Sequence, residues 1–249
     1  MVDLKRFVQS ISPTRRAYLE DSYSQALNAN VLRFAEEKNN AYIAVDQTIF
    51  HPRSGGQPSD RGALRGSSFR VDVKRAMLFN EVIVHYGKVE GKPDAGAVVC
   101  EIDWPNRLLL MRRHTAAHLL DYCLATLRRF NVETTDSWLG DQPYVGYAGP
   151  IASNLDVKQV EELANSFIRQ GRNVRVVVVN RTEAERLIVN APNISRLPQT
   201  EELRVVTIEG QLPIPCGGTH VRNLREIEVV EVRRIEPTES GFRLYFEVK

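Results

Sequence analysis

At Asp103-Trp104-Pro105 the periodicity of this 249-residue chain changes. Before that point apolar residues come in short alternating runs; after it they recur every three or four residues. The first period belongs to strands and the second to helices, so a single type of element throughout is excluded. The pattern predicts an α+β protein. A small antiparallel β-barrel subdomain is expected over residues 17–102. An α+β subdomain with helices on an antiparallel sheet is expected over residues 103–249. Residues 1–16, ending in Ser12-Pro13-Thr14-Arg15-Arg16, read as an extension with one helical turn.

Residues 18–35 read as a strand, a turn and a second strand, with a further turn at Lys38-Asn39-Asn40. Ala41 to Phe50 is a strand, and the stretch from His51 to Gly62 is a loop too rich in glycine and proline for regular structure. Leu64, Phe69 to Met77, Glu81 to Tyr86 and Val98 to Ile102 supply the remaining short strands. Asp103 is placed to cap a helix running to Phe130, with Pro105 in its first turn and Leu109, Met111, Ala117, Leu120, Leu124 and Leu127 as its apolar positions. Residues 131–152 form a connection long enough to be functional or to carry hidden strands. Ser153 or Asn154 caps a second helix, with Val160, Leu163, Ala164, Phe167 and Ile168 on one face and Gly171 as its stop. Asn173 to Val179 reads as a buried strand, Thr182 to Ile188 as a short helix and Leu203 to Ile208 as a strand. Glu226 to Ile235 and Phe242 to Val248 read as a terminal hairpin.

Two short segments carry chemistry. His114-Thr115-Ala116-Ala117-His118 lies within the helical pattern, so its two imidazoles share one face, a turn apart. Cys216-Gly217-Gly218-Thr219-His220 repeats the same spacing after two prolines, with glycines that allow the loop to fold back. Three imidazoles and a thiolate suit tetrahedral zinc. Either pair alone has a plain reading, a solvated histidine pair or a small buried cysteine; together they point to one ion. The zinc-peptidase signature needs a glutamate after the first histidine, and Thr115 stands there instead. A purely structural zinc stays open, since four protein ligands close the shell. Asp121 and Tyr122, one turn on, are either outer partners of the site or ordinary helix-surface residues.

A net charge of +2 neither announces nor forbids nucleic acid. Three cysteines, Cys100, Cys123 and Cys216, are too few and too scattered for a disulfide framework. A reducing compartment is the simpler setting. No signal-peptide core opens the chain and no apolar run reaches membrane-spanning length. The expectation is a soluble, cytoplasmic protein with no membrane partner; oligomeric state is not readable. Arg112, Arg113, Arg128, Arg129, Arg169, Arg172 and Arg175 are candidates for phosphate contact, each with a solvated charged surface as its plain alternative.

Three blocks resemble the freestanding alanyl-tRNA editing hydrolases and the editing domain of alanyl-tRNA synthetase. They are Thr48-Ile49-Phe50-His51-Pro52 with Gly55-Gly56-Gln57-Pro58-Ser59-Asp60-Arg61-Gly62, then His114 to Leu120, then Cys216 to Val221 with Glu226-Ile227. They span most of the chain. The resemblance implies zinc held by His114, His118, Cys216 and His220. It implies hydrolysis of alanine tRNA wrongly charged with serine, and often with glycine, at the acceptor end. Within that resemblance His114, His118 and Gln57 are the catalytic candidates. Thr48 is the candidate for the serine hydroxyl, and Gly55, Gly56 and Gln57 for the ester or terminal adenosine. Read alone, Thr48 is a β-branched strand residue and the glycines are a tight turn. The family usually has tyrosine at His51 and a further glycine at Ser54. A chain of this length leaves no room for a synthetase core, so editing in trans is implied. An editor of threonine tRNA charged with serine is the near alternative, and a tRNA-binding module with structural zinc the distant one.

Overall fold

The computed structural model describes residues 2–128, 133–151, 155–187 and 201–249. They divide into two compact units. The first comprises Met1–Ser54 and Pro58–Leu108, the second Gly55–Gln57 and Leu109–Lys249.

The first unit opens with α1 (Leu4–Phe7) and β1 (Arg15–Arg16). Six of the strands that follow close into a barrel: β2 (Ala26–Glu37), β3 (Asn40–Val45), β5 (Gly62–Arg65), β6 (Phe69–Phe79), β7 (Val82–Gly91) and β8 (Ala97–Ile102). Their order is β2-β3-β7-β6-β5-β8, with antiparallel pairing throughout. Closure leaves no edge of this sheet unpaired. The expected strand-turn-strand over residues 18–35 is instead a 3-10 turn, Ala17–Leu19, and one twelve-residue strand. The break in pattern is a register shift between Val31 and Arg33. There β2 bends and changes partner, from β8 on its first half to β3 on its second.

Val31, Ile43, Leu64, Val71, Ile83, Val98 and Cys100 belong to the cluster that fills the barrel. Residues of opposite parity, Tyr42 and Ala44 on β3 with Val82 and Val84 on β7, form a second cluster with Phe7 and Val8. Strand β3 is therefore buried on both faces, which is why its sequence does not alternate. The extension is thus part of this unit's packing. Asp3 caps its helical turn by accepting from the Lys5 N–H at 3.0 Å. Arg15 and Arg16 pair in parallel with β4 (Gln47–Thr48).

Helix α2 (Trp104–Arg128) begins as expected, with the Asp103 carboxylate accepting from the Asn106 N–H at 3.2 Å. Its expected end, Arg129 to Phe130, lies outside the described residues. The long connection does hold strands, β9 (Thr134–Trp138) and β10 (Tyr144–Ala148). They join β14 (Val230–Pro237) and β15 (Gly241–Val248) in an antiparallel sheet ordered β14-β15-β10-β9. Helix α3 (Val157–Gln170) packs on β14, where the Asn165 amide bonds both the N–H and the C=O of Val230. Asp156 caps α3; the expected caps Ser153 and Asn154 lie outside the described residues. Gly171 ends it at φ 67°, as its sequence position predicts.

A second sheet holds β11 (Val174–Asn180), β12 (Glu202–Ile208) and β13 (Ile214–Pro215) in that order, with α4 (Arg181–Leu187) beside β11 and β12. Two sheets thus stand where one was expected. Strand β11 is not buried: Val176, Val177 and Val178 are 39%, 45% and 60% exposed. It is an edge strand, and an unbroken apolar run does not distinguish an edge from a centre. The expected strand from Glu226 is also corrected. Residues Leu224–Ile227 form a 3-10 turn because Asn223 and Glu226 make a reciprocal cap, and β14 starts only at Val230.

Candidate metal centre

Helix α2 carries His114 and His118 one turn apart, their ring centroids separated by 5.2 Å. The Cys216–His220 segment follows β13 and sets the His220 ring 4.4 Å from His114 and 4.8 Å from His118. Each of the four residues offers one ligand atom, and these atoms all lie within 4.8 Å of one another. Cys216 Sγ is 3.4 Å from His114 Nε2 and 3.3 Å from His220 Nε2. Those separations match neighbouring corners of a tetrahedron whose bonds are about 2.0–2.3 Å long. The site therefore fits zinc by donor set, and by geometry at the two edges that Cys216 shares with His114 and His220.

The opposite edges of two rings decide which nitrogens face inward. Gln57 Oε1 lies 2.8 Å from His114 Nδ1 and accepts from the Thr219 N–H at 3.1 Å, while Gln57 Nε2 donates to Thr219 Oγ1 at 2.9 Å. The Thr219 N–H can only donate, which fixes the amide oxygen on this side, so the proton shared with His114 sits on Nδ1 and the neutral ring presents Nε2 for ligation. Thr115 does the same for His220. Its hydroxyl donates to the Met111 carbonyl at 2.9 Å, so it accepts from His220 Nδ1 at 3.2 Å and from the Val221 N–H at 3.2 Å. These supports raise ligand basicity and hold the rings.

Burial, with a smaller push from Arg204, lowers His118 to about 4, so its ring is neutral and able to ligate at neutral pH. Burial raises the Cys216 thiol, while the Gly218 N–H and Arg204 pull it down. Ion binding there would release a proton.

The glycines act through space. Neither Gly217 nor Gly218 has positive φ. A Cβ on Gly218 would meet His114 Cε1 at 2.1 Å, whereas one on Gly217 meets nothing within 4 Å. In the Gly55-Gly56-Gln57 turn, both glycines have positive φ, and a Cβ on Gly56 would lie 2.2 Å from Ser137 Oγ. The Gly56 carbonyl accepts from the Leu139 N–H at 3.0 Å. The turn is thus seated on the end of β9, and its glutamine reaches the metal ligands.

Thr48 belongs to the other unit. It is buried, 2.9 Å from His85 Nε2, and accepts from the Phe50 N–H at 3.1 Å. In the same unit Arg107 and Asp60, both wholly buried, form an ion pair; Arg107 also donates to the Ser22 and Ile49 carbonyls, and Asp60 accepts from the His51 N–H. His51 and Ser54, the two departures from the family pattern, approach each other at 3.2 Å.

Asp121 accepts from the Tyr147 hydroxyl at 2.7 Å and Tyr122 packs on Phe167, so neither serves the site through these contacts. Among the arginines, Arg113 is taken up by Glu247 and the carbonyls of Leu139 and Gly140, and Arg112 pairs with Glu228. Arg172 stacks on Phe167; Arg169 and Arg175 are exposed. Arg129 lies outside the described residues. No motif or spacing in the sequence marks Thr115, Thr219, His85 or Arg107 as functional. The signal available was position: both threonines are next to a ligand.

Among the described residues no helix is long and apolar enough to cross a membrane. Residues 20–106 match the family model for class II (A) tRNA synthetases, and residues 203–244 match the second additional domain of threonyl and alanyl tRNA synthetases. The alanyl-tRNA editing protein AlaX-M of Methanosarcina barkeri is 31% identical over 247 residues, covering 94% of this chain and 98% of that protein. Its counterpart in Methanosarcina mazei is 32% identical, covering 94% and 96%. The alanine–tRNA ligase of Pyrobaculum aerophilum is 32% identical over 94% of this chain, which spans only 27% of the ligase.

Proposed function

The chain belongs to the alanyl-tRNA editing protein family, and on that premise we propose that it hydrolyses the aminoacyl ester of mischarged alanine tRNA, chiefly the seryl and also the glycyl ester. The observation that carries this reading is the convergence of His114, His118, Cys216 and His220, with Gln57 of the glycine turn bonded to His114.

A second, hydrolytic site answers a physical need. A pocket for alanine rejects glycine by only about 1–3 kcal/mol, and it rejects an added hydroxyl as poorly. Editing must therefore favour serine over alanine, which requires a polar group for the hydroxyl. Thr48 fills that role, in surroundings dry enough for one hydrogen bond to count. His114, His118, Cys216 and His220 would hold zinc, which when bound supplies positive charge and Lewis acidity at the acceptor-end ester. Gln57 and Thr115 hold the His114 and His220 rings by Nδ1, which leaves Nε2 of each as the atom that would ligate the ion. Water adds to the acyl carbon and the ribose oxygen of the terminal adenosine leaves with a proton. Exposed Arg169 and Arg175 are available for phosphate contact.

Deacylation assays on alanine tRNA charged with serine, glycine or alanine, and on threonine tRNA charged with serine, test this. Rapid loss of seryl and glycyl esters from alanine tRNA, with alanyl ester spared, is expected. It should vanish in Cys216→Ala and His118→Ala while circular dichroism stays unchanged. Preference for the threonine tRNA, or wild-type activity in both variants, would contradict the reading.

A further inference from the structure

We propose that His85 is a specificity-determining positioning residue: it draws off the hydroxyl proton of Thr48, so that Thr48 meets a substrate hydroxyl as an acceptor. This rests on the reading of Thr48 given above and goes beyond it by assigning the direction of the hydrogen bond and the residue that sets it.

The direction follows from one chain of contacts inside the barrel unit. His85 Nδ1 lies 3.2 Å from the Ile43 carbonyl oxygen. A carbonyl can only accept, so Nδ1 must carry a proton. His85 is wholly buried, and its pKa is lowered to about 4 by that burial, so the ring is neutral and holds one proton. Nε2 is then bare and can only accept. It lies 2.9 Å from Thr48 Oγ1, so the hydroxyl donates to it. The Phe50 N–H, 3.1 Å away, takes one of the two lone pairs on the same oxygen. That leaves a second lone pair of fixed direction, met in the structure by the Cys100 side chain. The Cys100 thiol, which also reaches this hydroxyl, is a weak donor that an alcohol O–H outcompetes. Phe50 holds the imidazole in place edge-on, with centroids 5.1 Å apart. Strand pairing fixes the rest, since Ile43 and His85 are direct partners across β3 and β7.

An unoriented hydroxyl would rotate between donor and acceptor roles. A hydroxyl whose proton is already committed offers serine an acceptor at no orienting cost, and it offers alanine and glycine nothing. His85 touches no substrate in this scheme; it acts through Thr48.

The test uses the ratio of kcat/KM for seryl over glycyl alanine tRNA, because glycine has no hydroxyl and reports everything except this contact. His85→Leu removes the acceptor and should lower the ratio about tenfold, the worth of one hydrogen bond, with glycyl activity kept. His85→Gln restores an accepting oxygen and should recover most of the ratio. Thr48→Val should lower the ratio equally, and adding His85→Leu to it should lower it no further. Should His85→Leu not fold, the ¹⁵N shifts of the wild-type ring read the tautomer directly, with a protonated Nδ1 and a bare Nε2 expected. Equal loss of seryl and glycyl activity in His85→Leu, or a proton on Nε2, overturns the inference while leaving the editing function intact. An unchanged ratio in Thr48→Val overturns both the inference and the role given to Thr48.

Discussion

Gly218 is glycine because His114 stands where its side chain would be. Gly218→Ala should therefore lower zinc affinity more than tenfold, through displacement of a ring that Gln57 holds. Gly217→Ala, with open space around it, should keep its zinc; metal content after dialysis distinguishes the two. Gln57→Ala frees the His114 ring and removes the partner of Thr219. It should weaken zinc roughly 10–100-fold and cost about 1–3 kcal/mol of fold stability, since the buried Thr219 N–H and His114 Nδ1 lose their acceptor. His85 gives a pH dependence. Its ring titrates near 6.5 in the unfolded chain and near 4 when folded, so between these values the unfolded state takes up a proton that the folded state refuses. Stability should be fully present above pH 6.5 and fall as pH drops through that window, by on the order of 3 kcal/mol. Denaturant midpoints across pH should show this slope in the wild type and a flatter one in His85→Gln.

At the scale of elements, the helix carrying His114 and the helix capped by Asp156 were both legible, because a 3.6-residue apolar period over several turns has few other readings. The strands were legible as a set but not one by one. The long β2 was split in the sequence because a bulge, not a turn, changes its partner. Strand β11 reads as buried in the sequence because four consecutive valines look the same at an edge as in a centre. The metal ligands were visible by spacing, and Gln57 through the family resemblance; its bond to His114 across 57 positions and the roles of Thr115 and Thr219 were not, because pairings between distant segments leave no periodic mark. Burial of α1 against β3 and β7 makes a prediction at this scale. Phe7→Ala should cost about 3 kcal/mol of stability in chemical denaturation without changing zinc content, since Phe7 is 7% exposed within an apolar cluster.

At the scale of the whole chain, one family model falls across the barrel strands and the other across the segment bearing Cys216 and His220. Similarity to the two editing proteins, by contrast, runs across 94% of the chain. The central claim is that one ion, held by four residues from sequence-distant segments, is required for hydrolysis of mischarged alanine tRNA. The most direct measurement is a titration of metal-stripped protein with zinc, following the single-turnover rate of seryl-ester hydrolysis on alanine tRNA. The account predicts a rate that rises in proportion to zinc and levels off at one ion per chain. A rate that is already full before zinc is added, or one that stays at background with the four ligands saturated, would contradict it.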